Sequence, residues 1–183
     1  MPERKAAVKP ITQKRLMNIA LHYLGRYESS SQNLRGLLQR RIKRAEAKGV
    51  AVPFDAYAWI DAVIKEVIRL GYIDDRRYAV SVVQKYRNLG KSKNYIRQKL
   101  TLAGIASELQ SEALAEFGDS NAELEAAFLL VKKRKLGVFR SEQERSAFRK
   151  KDMAVLARAG FSYQTVVKAL GGEVDEECEN VWD

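Results

Sequence analysis

Residues 70–105 read LGYIDDRRYAVSVVQKYRNLGKSKNYIRQKLTLAGI, and this stretch decides the fold. Gly71, Gly90 and Gly104 cut it into two segments. In the first, Tyr78, Ala79, Val82, Val83, Tyr86 and Leu89 recur at intervals of three and four, which places them on one helix face. In the second, Ile96, Leu100 and Ala103 do the same. Asp74 and Ser92 stand where a helix N-terminus needs a side-chain acceptor. The glycines fall where a helix can stop in the left-handed conformation.

Outward from this stretch the apolar spacing stays helical, and no segment alternates with the period of a strand. A first helix is expected over about 12–24, with Leu16, Ile19, Ala20, Tyr23 and Leu24 on one face. A second opens at Ser31 as its N-cap and carries Leu34, Leu37, Leu38 and Ile42. Gly49 to Pro53 breaks the chain. A third, from about Phe54 to Leu70, is expected to bury Trp59, Ile60, Val63, Ile64, Val67 and Ile68. Further helices are expected over about 106–117, then to Leu136 from a Ser120 cap, then over 141–159, then to Leu170 from a Ser162 cap.

The elements group in threes. Leu100, Gly104, Ala113 and Leu114 return 56 positions later as Leu156, Gly160, Ala169 and Leu170, with Ile105 and Phe161 in matching places. Such a period means one supersecondary unit used again. The expected fold class is all-α, an elongated tandem array of three three-helix repeats. The repeats span 11–70, 71–117 and 118–171, between a basic N-terminal tail (1–10) and an acidic C-terminal tail (172–183). The first copy carries an inserted stretch around 41–53.

The 183 residues carry a net charge of +10. Six acidic residues and no basic one follow Gly172, so the first 172 residues hold a net +16. A body that basic attracts polyanions, with steep salt dependence. No segment approaches the ~20 apolar residues of a spanning helix, and the N-terminus lacks the apolar core of a signal peptide. Cytoplasmic location without membrane contact is expected. Cys178 is the single cysteine, so neither a disulfide framework nor a thiolate metal site is expected.

Little in the chain suits catalysis. His22 is the one histidine and lies off the apolar stripe of its helix. Gly90-Lys91-Ser92 matches the end of a phosphate-binding loop, but Lys85 stands where the first glycine of that motif belongs, and a helix is expected where it needs a strand. Asp74 and Asp75 suit a helix-capping pair better than a magnesium site. No enzyme activity, metal or cofactor is expected.

Cations on rigid helices are the usable chemistry. Arg76, Arg77, Lys85, Arg87, Lys91, Lys93, Arg97 and Lys99 frame the two central helices and are the candidate contacts for partner or DNA. Lys93 and Arg97 are four apart and share a face. Further basic residues lie at Arg35, Arg40, Arg41, Lys43 and Arg44, and at Lys132 to Lys135, Arg145, Arg149, Lys150 and Lys151. A solubilising coat explains any single lysine; it explains the central cluster less well. Tyr72, Tyr78 and Tyr86 are expected as buried rings with satisfied hydroxyls rather than as stacking platforms.

The opening stretch also resembles the central signature of the RecX family. The resemblance rests on Gly71, Tyr72, Ile73, Asp74, Asp75, Arg76, Arg77, Tyr78 and Ala79, followed in order by Gly90, Lys91, Ile96, Arg97, Leu100, Gly104 and Ile105. It extends over about 11–170 and is strongest in the middle. The insertion near 41–53 and the acidic tail depart from the family pattern. The resemblance implies tandem three-helix repeats and a regulator of recombination in bacterial DNA repair and the SOS response. It further implies docking in the groove of a RecA filament on single-stranded DNA. Filament growth would be blocked or subunits braced, lowering ATPase, strand-exchange and co-protease activities. A monomer with weak duplex binding is expected. Three stacked triplets of ~15-residue helices would span on the order of 80 Å. Two other readings remain open on charge alone. Tandem helix-turn-helix units would bind DNA directly, although no recognition helix with a compact Arg/Asn/Gln cluster is seen. An RNA-binding adaptor fits the charge equally.

Overall fold

The structure is a computed structural model that describes residues 10–116 and 120–172. Among these residues it is all-α. The elements are α1 (Gln13–Leu24), α2 (Ser31–Glu46), α3 (Ala56–Arg69), α4 (Asp75–Asn88), α5 (Lys93–Leu102), α6 (Ser107–Glu116), α7 (Ser120–Arg134), α8 (Glu142–Arg158) and α9 (Tyr163–Ala169). A 3₁₀ turn over Gly137–Phe139, not anticipated from the sequence, links α7 to α8. The basic and acidic tails, the expected helix end at Phe117 and the expected Ser120 cap lie outside the described residues and side chains. No helix of the described residues is long and apolar enough to cross a membrane.

The chain forms two compact units. The first holds residues 10–78 together with 103–105. Its core comes from α1, α2 and α3 through Leu16, Ala20, Leu34, Leu38, Ile42, Ile60, Val63 and Val67, all buried. Each large aliphatic chain removed from water in this way stabilises by about 1.5–3 kcal/mol before entropic costs. Thr12 caps α1 by accepting from the Arg15 N–H at 3.2 Å. The cap of α2 is Ser30, whose Oγ accepts from the Asn33 N–H at 3.1 Å, so the expected Ser31 cap is displaced by one residue. Ser31 has another task, described below. The third helix begins at Ala56 and leaves Phe54 fully exposed. Ile68 also faces solvent and Trp59 is half-buried. The buried arc of α3 follows Ala56, Ile60, Val63, Ile64 and Val67, and the ring and side chain just beyond that arc are left at its edge.

The second unit holds residues 79–102, 106–116 and 120–172. Ala79, Val83, Ile96, Leu100, Ala113 and Leu114 are buried from α4, α5 and α6, whereas Leu89, past the end of α4, is exposed. A separate apolar cluster joins Ala126, Ala127, Val131, Leu136, Leu156, Phe161, Val166, Ala169 and Leu170. Asp152 is buried within it and is matched by Arg140, which makes two hydrogen bonds to its carboxylate at 2.8 Å.

The 56-residue recurrence has a physical basis. Leu100 and Leu156 are both fully buried, and Ile105 and Phe161 both 4% exposed. Gly104 and Gly160 both adopt positive φ, +72° and +86°, after a helix end. Each is pressed against the N-terminus of an earlier helix. A Cβ at Gly104 would overlap the Gln32 side chain, and one at Gly160 would lie 2.7 Å from Ser92 Oγ. The serines repeat as well. Ser30 Oγ donates to the Ala103 carbonyl at 2.6 Å, and Ser92 Oγ donates to the Ala159 carbonyl at 2.6 Å. One serine therefore caps its own helix and also satisfies a carbonyl at another helix's end, and the glycine supplies the close approach.

Candidate functional site

The eight cations singled out in the sequence divide by role. Lys93 and Arg97 occupy the exposed face of α5, one turn apart. Lys91 and Lys99 converge on the half-buried Tyr95, with ammonium groups 5.0 and 5.2 Å from the ring centroid. Tyr86 meets Tyr95 edge-on at 5.4 Å between centroids, and the Lys85 ammonium lies 5.8 Å from the Tyr86 ring. Three lysines thus frame one aromatic pair, at distances where ring quadrupoles attract cations. Their stems are held against the rings while the charged ends remain able to meet an anion. The sequence signals Tyr95 only by its place one position before the apolar Ile96.

Beside this cluster lies an open groove of about 910 Å³. Lys91 and Tyr95 contribute to one part of its lining. Lys132, Lys133 and Arg134 contribute from the end of α7, and Arg158 from the end of α8. Leu89 and Leu129 also line it and are 61% and 51% exposed. The groove brings together cations that sequence reasoning had divided between the second and third helix groups. Its chemistry suits a polyanion that also carries apolar surface.

Arg87 does not belong to this exposed set. Its side chain is 9% exposed and forms an ion pair with Glu123, itself 15% exposed. Glu123 also accepts from the Lys93 N–H at 3.0 and 3.1 Å, which ties the N-terminus of α5 to α7. Arg87, expected among the contacts for a partner, thus already meets a partly buried carboxylate of its own chain. Its Nε has no hydrogen-bond partner among the described residues.

Arg76 and Arg77 lie in the first unit, exposed in the first turn of α4. Arg77 approaches Glu28 at 4.0 Å. Asp74 Oδ1 accepts from the N–H groups of both Arg76 and Arg77 at 3.0 Å, the capping role expected of it. Asp75 behaves differently. It accepts from the Ser31 N–H at 2.8 Å and from the Ser31 hydroxyl at 2.6 Å, so it serves the N-terminus of α2 rather than its own helix. Tyr78 is half-buried and its hydroxyl accepts from Asn33 at 3.3 Å, whereas Tyr72, expected buried, is 52% exposed. Among the outlying cations, Arg35 is paired with Asp61 at 2.6 Å and Arg145 donates to the Val138 carbonyl at 3.0 Å.

Comparison with known proteins converges on one group. A family model described as RecX, second three-helix domain, matches residues 74–114. The Regulatory protein RecX of Myxococcus xanthus is 35% identical over 170 residues, which cover 92% of this chain and 89% of that protein. The Regulatory protein RecX of Agrobacterium fabrum is 28% identical over 164 residues, 90% of this chain and 85% of that one. The crystal structure of RecX from Lactobacillus salivarius superposes with a TM-score of 0.63 at 22% identity, over 86% of this chain and 94% of that one. A crystal structure of regulatory protein RecX gives 0.66 at 24% identity, over 86% and 70%.

Proposed function

Because the chain belongs to the RecX family of regulatory proteins, we propose that it is a non-catalytic regulator of the RecA recombinase, acting as a cytoplasmic monomer. It docks in the groove of the RecA filament on single-stranded DNA. There it lowers ATPase, strand-exchange and co-protease activities by blocking growth or bracing subunits. The repeats 11–70, 71–117 and 118–171 are taken as its building blocks. Lys85, Lys91, Lys93, Arg97 and Lys99 are taken as the contacts of the second unit, and Arg76 and Arg77 as those of the first.

The observation that carries this reading is the grouping of Lys91, Lys132, Lys133, Arg134 and Arg158 around one groove with exposed leucines. A bare DNA backbone needs cations alone. A nucleoprotein offers carboxylates and apolar side chains together with phosphates, and guanidinium groups serve either anion.

The test is ATP hydrolysis by the cognate recombinase on single-stranded DNA, with this protein titrated well below stoichiometry. Inhibition at low ratios is expected. Inhibition only once the DNA lattice is saturated would mean simple competition for the strand and would overturn the reading.

A further inference from the structure

A second cleft lies in the first unit, between α1 and α2, and none of the residues proposed above as contacts lines it. It measures about 470 Å³, within the roughly 300–1,000 Å³ of sites that enclose small organic ligands. Its most distinctive feature is a pair of tyrosines. The end of α1 continues as a turn in which the Tyr27 N–H donates to the Tyr23 carbonyl at 3.0 Å. That turn sets the two rings side by side, with centroids 5.2 Å apart and planes tilted by 37°. Tyr27 is 58% exposed, so its ring is not required by the core. Ile19 and Leu37 form an apolar floor, and Arg26 and Arg41 stand at the rim, neither in an ion pair with a described residue.

Tyr95 provides the contrast. Its ring already carries two lysine ammonium groups. No lysine or arginine among the described residues stacks on the Tyr27 ring, and the residue is 58% exposed. Exposed aromatic rings with an apolar floor and guanidinium groups at the edge are how proteins hold single strands: bases stack on the rings and arginines follow the backbone. An acidic peptide would use the arginines and leave the rings without purpose.

We propose that this cleft is a stacking site for a base of single-stranded DNA, with Tyr27 and Tyr23 as the platform and Arg26 and Arg41 holding the flanking phosphates. The choice of DNA over RNA rests on the function proposed above; the stacking does not.

The experiment is fluorescence anisotropy of the full chain, without recombinase, against labelled oligo-dT and an abasic deoxyribose-phosphate oligomer of equal length. Wild type should prefer oligo-dT. Tyr27→Ala should weaken oligo-dT binding by roughly 5- to 100-fold and leave the abasic oligomer unchanged. Tyr27→Phe should retain the preference. Arg41→Ala should weaken both ligands and lower the salt slope by about 1. If Tyr27→Ala lowers the thermal melt, Tyr27→Leu keeps apolar bulk without the ring and should show the same selective loss. Equal affinity of wild type for the two oligomers would overturn the proposal, as would unchanged oligo-dT binding by Tyr27→Leu. Tighter binding of oligo-rU, or displacement of oligo-dT by polyglutamate at equal charge, would overturn it too. Failure of the filament reading would appear separately, in the recombinase ATPase titration with wild type.

Discussion

The Ser92 hydroxyl donates to the Ala159 carbonyl at 2.6 Å while accepting from the Tyr95 N–H at 3.1 Å. One buried side chain thereby closes the start of α5 and the end of α8 together. Ser30 does the same between α2 and the Ala103 carbonyl, at 2.6 and 3.1 Å. Ser92→Ala removes a helix cap worth about 1 kcal/mol and leaves a part-buried carbonyl without its donor, at a cost of about 1 kcal/mol more. Urea unfolding should show a loss near 2 kcal/mol with an unchanged m-value. A loss below about 0.5 kcal/mol would mean that water substitutes for the hydroxyl.

Gly160 tests the other half of that joint. Its φ of +86° disfavours any side chain, and a Cβ there would press on Ser92 Oγ at 2.7 Å. Gly160→Ala should destabilise by about 1–2 kcal/mol from the backbone alone, with a further penalty from the clash. In a Ser92→Ala background the clash is relieved and the backbone cost stays. The double variant should therefore be less destabilised than the sum of the singles, measured by a thermodynamic cycle. Strict additivity would show that the two residues do not press on one another.

Asp74 and Asp75 are neighbours with different clients. Asp74→Ala loses the cap of α4 and should cost about 1 kcal/mol. Asp75→Ala loses two short bonds to Ser31 at the N-terminus of α2, and carboxylate bonds of this kind are worth about 1.5–3 kcal/mol each way they are broken. The Asp75 variant should melt lower than the Asp74 variant. The reverse order would mean that both carboxylates serve α4.

These pairs show what can and cannot be read in the chain. Helices were legible because Leu16, Leu34, Leu38, Ile60, Leu100 and Leu156 recur at helical spacing and are all buried. The joint was half legible, since the 56-residue recurrence placed Gly104 and Gly160 without saying what they approach. Spacing marks a face but not how wide the buried arc is, so Ile68 and Leu89, expected inward, lie outward. Long-range polar partners were illegible. Arg87 and Glu123 are separated by 36 positions, and Asp75 and Ser31 by 44. No local pattern predicts which distant carboxylate meets which donor. The Tyr23–Tyr27 ring pair has no sequence signal because it forms only where α1 relaxes into a turn.

Asp152 gives the fold of the second unit a pH dependence. Two hydrogen bonds from Arg140, helped by the Gly137 N–H at 2.9 Å, hold its carboxyl below the ordinary aspartate value of about 3.8 and outweigh the opposing effect of burial. A lowered folded-state pKa means that stability is fully present above the unfolded value and is lost as pH falls through the folded one. The wild-type melting temperature should hold from pH 7 to about 5 and fall below about 4. Asp152→Asn should melt lower than wild type near neutrality, and the difference should shrink toward pH 3. A constant difference across that range would assign the effect to packing rather than to charge.

Arg87 and the pair Lys93–Arg97 separate fold from binding. Arg87→Ala leaves Glu123 with only the Lys93 N–H to meet its charge. Breaking a largely buried pair costs about 3 kcal/mol, so the melt should fall sharply, and any loss of filament inhibition should track the unfolded fraction. Lys93→Glu with Arg97→Glu alters two exposed side chains that make no ion pair with a described residue. The melt should stay within about 0.5 kcal/mol of wild type. Inhibition of the recombinase ATPase should weaken by tenfold or more, because two cations become two anions on the surface proposed to meet a polyanion. Charge reversal with full inhibition and an unchanged melt would move the contact surface off α5, toward the groove that Lys132, Lys133 and Arg158 line.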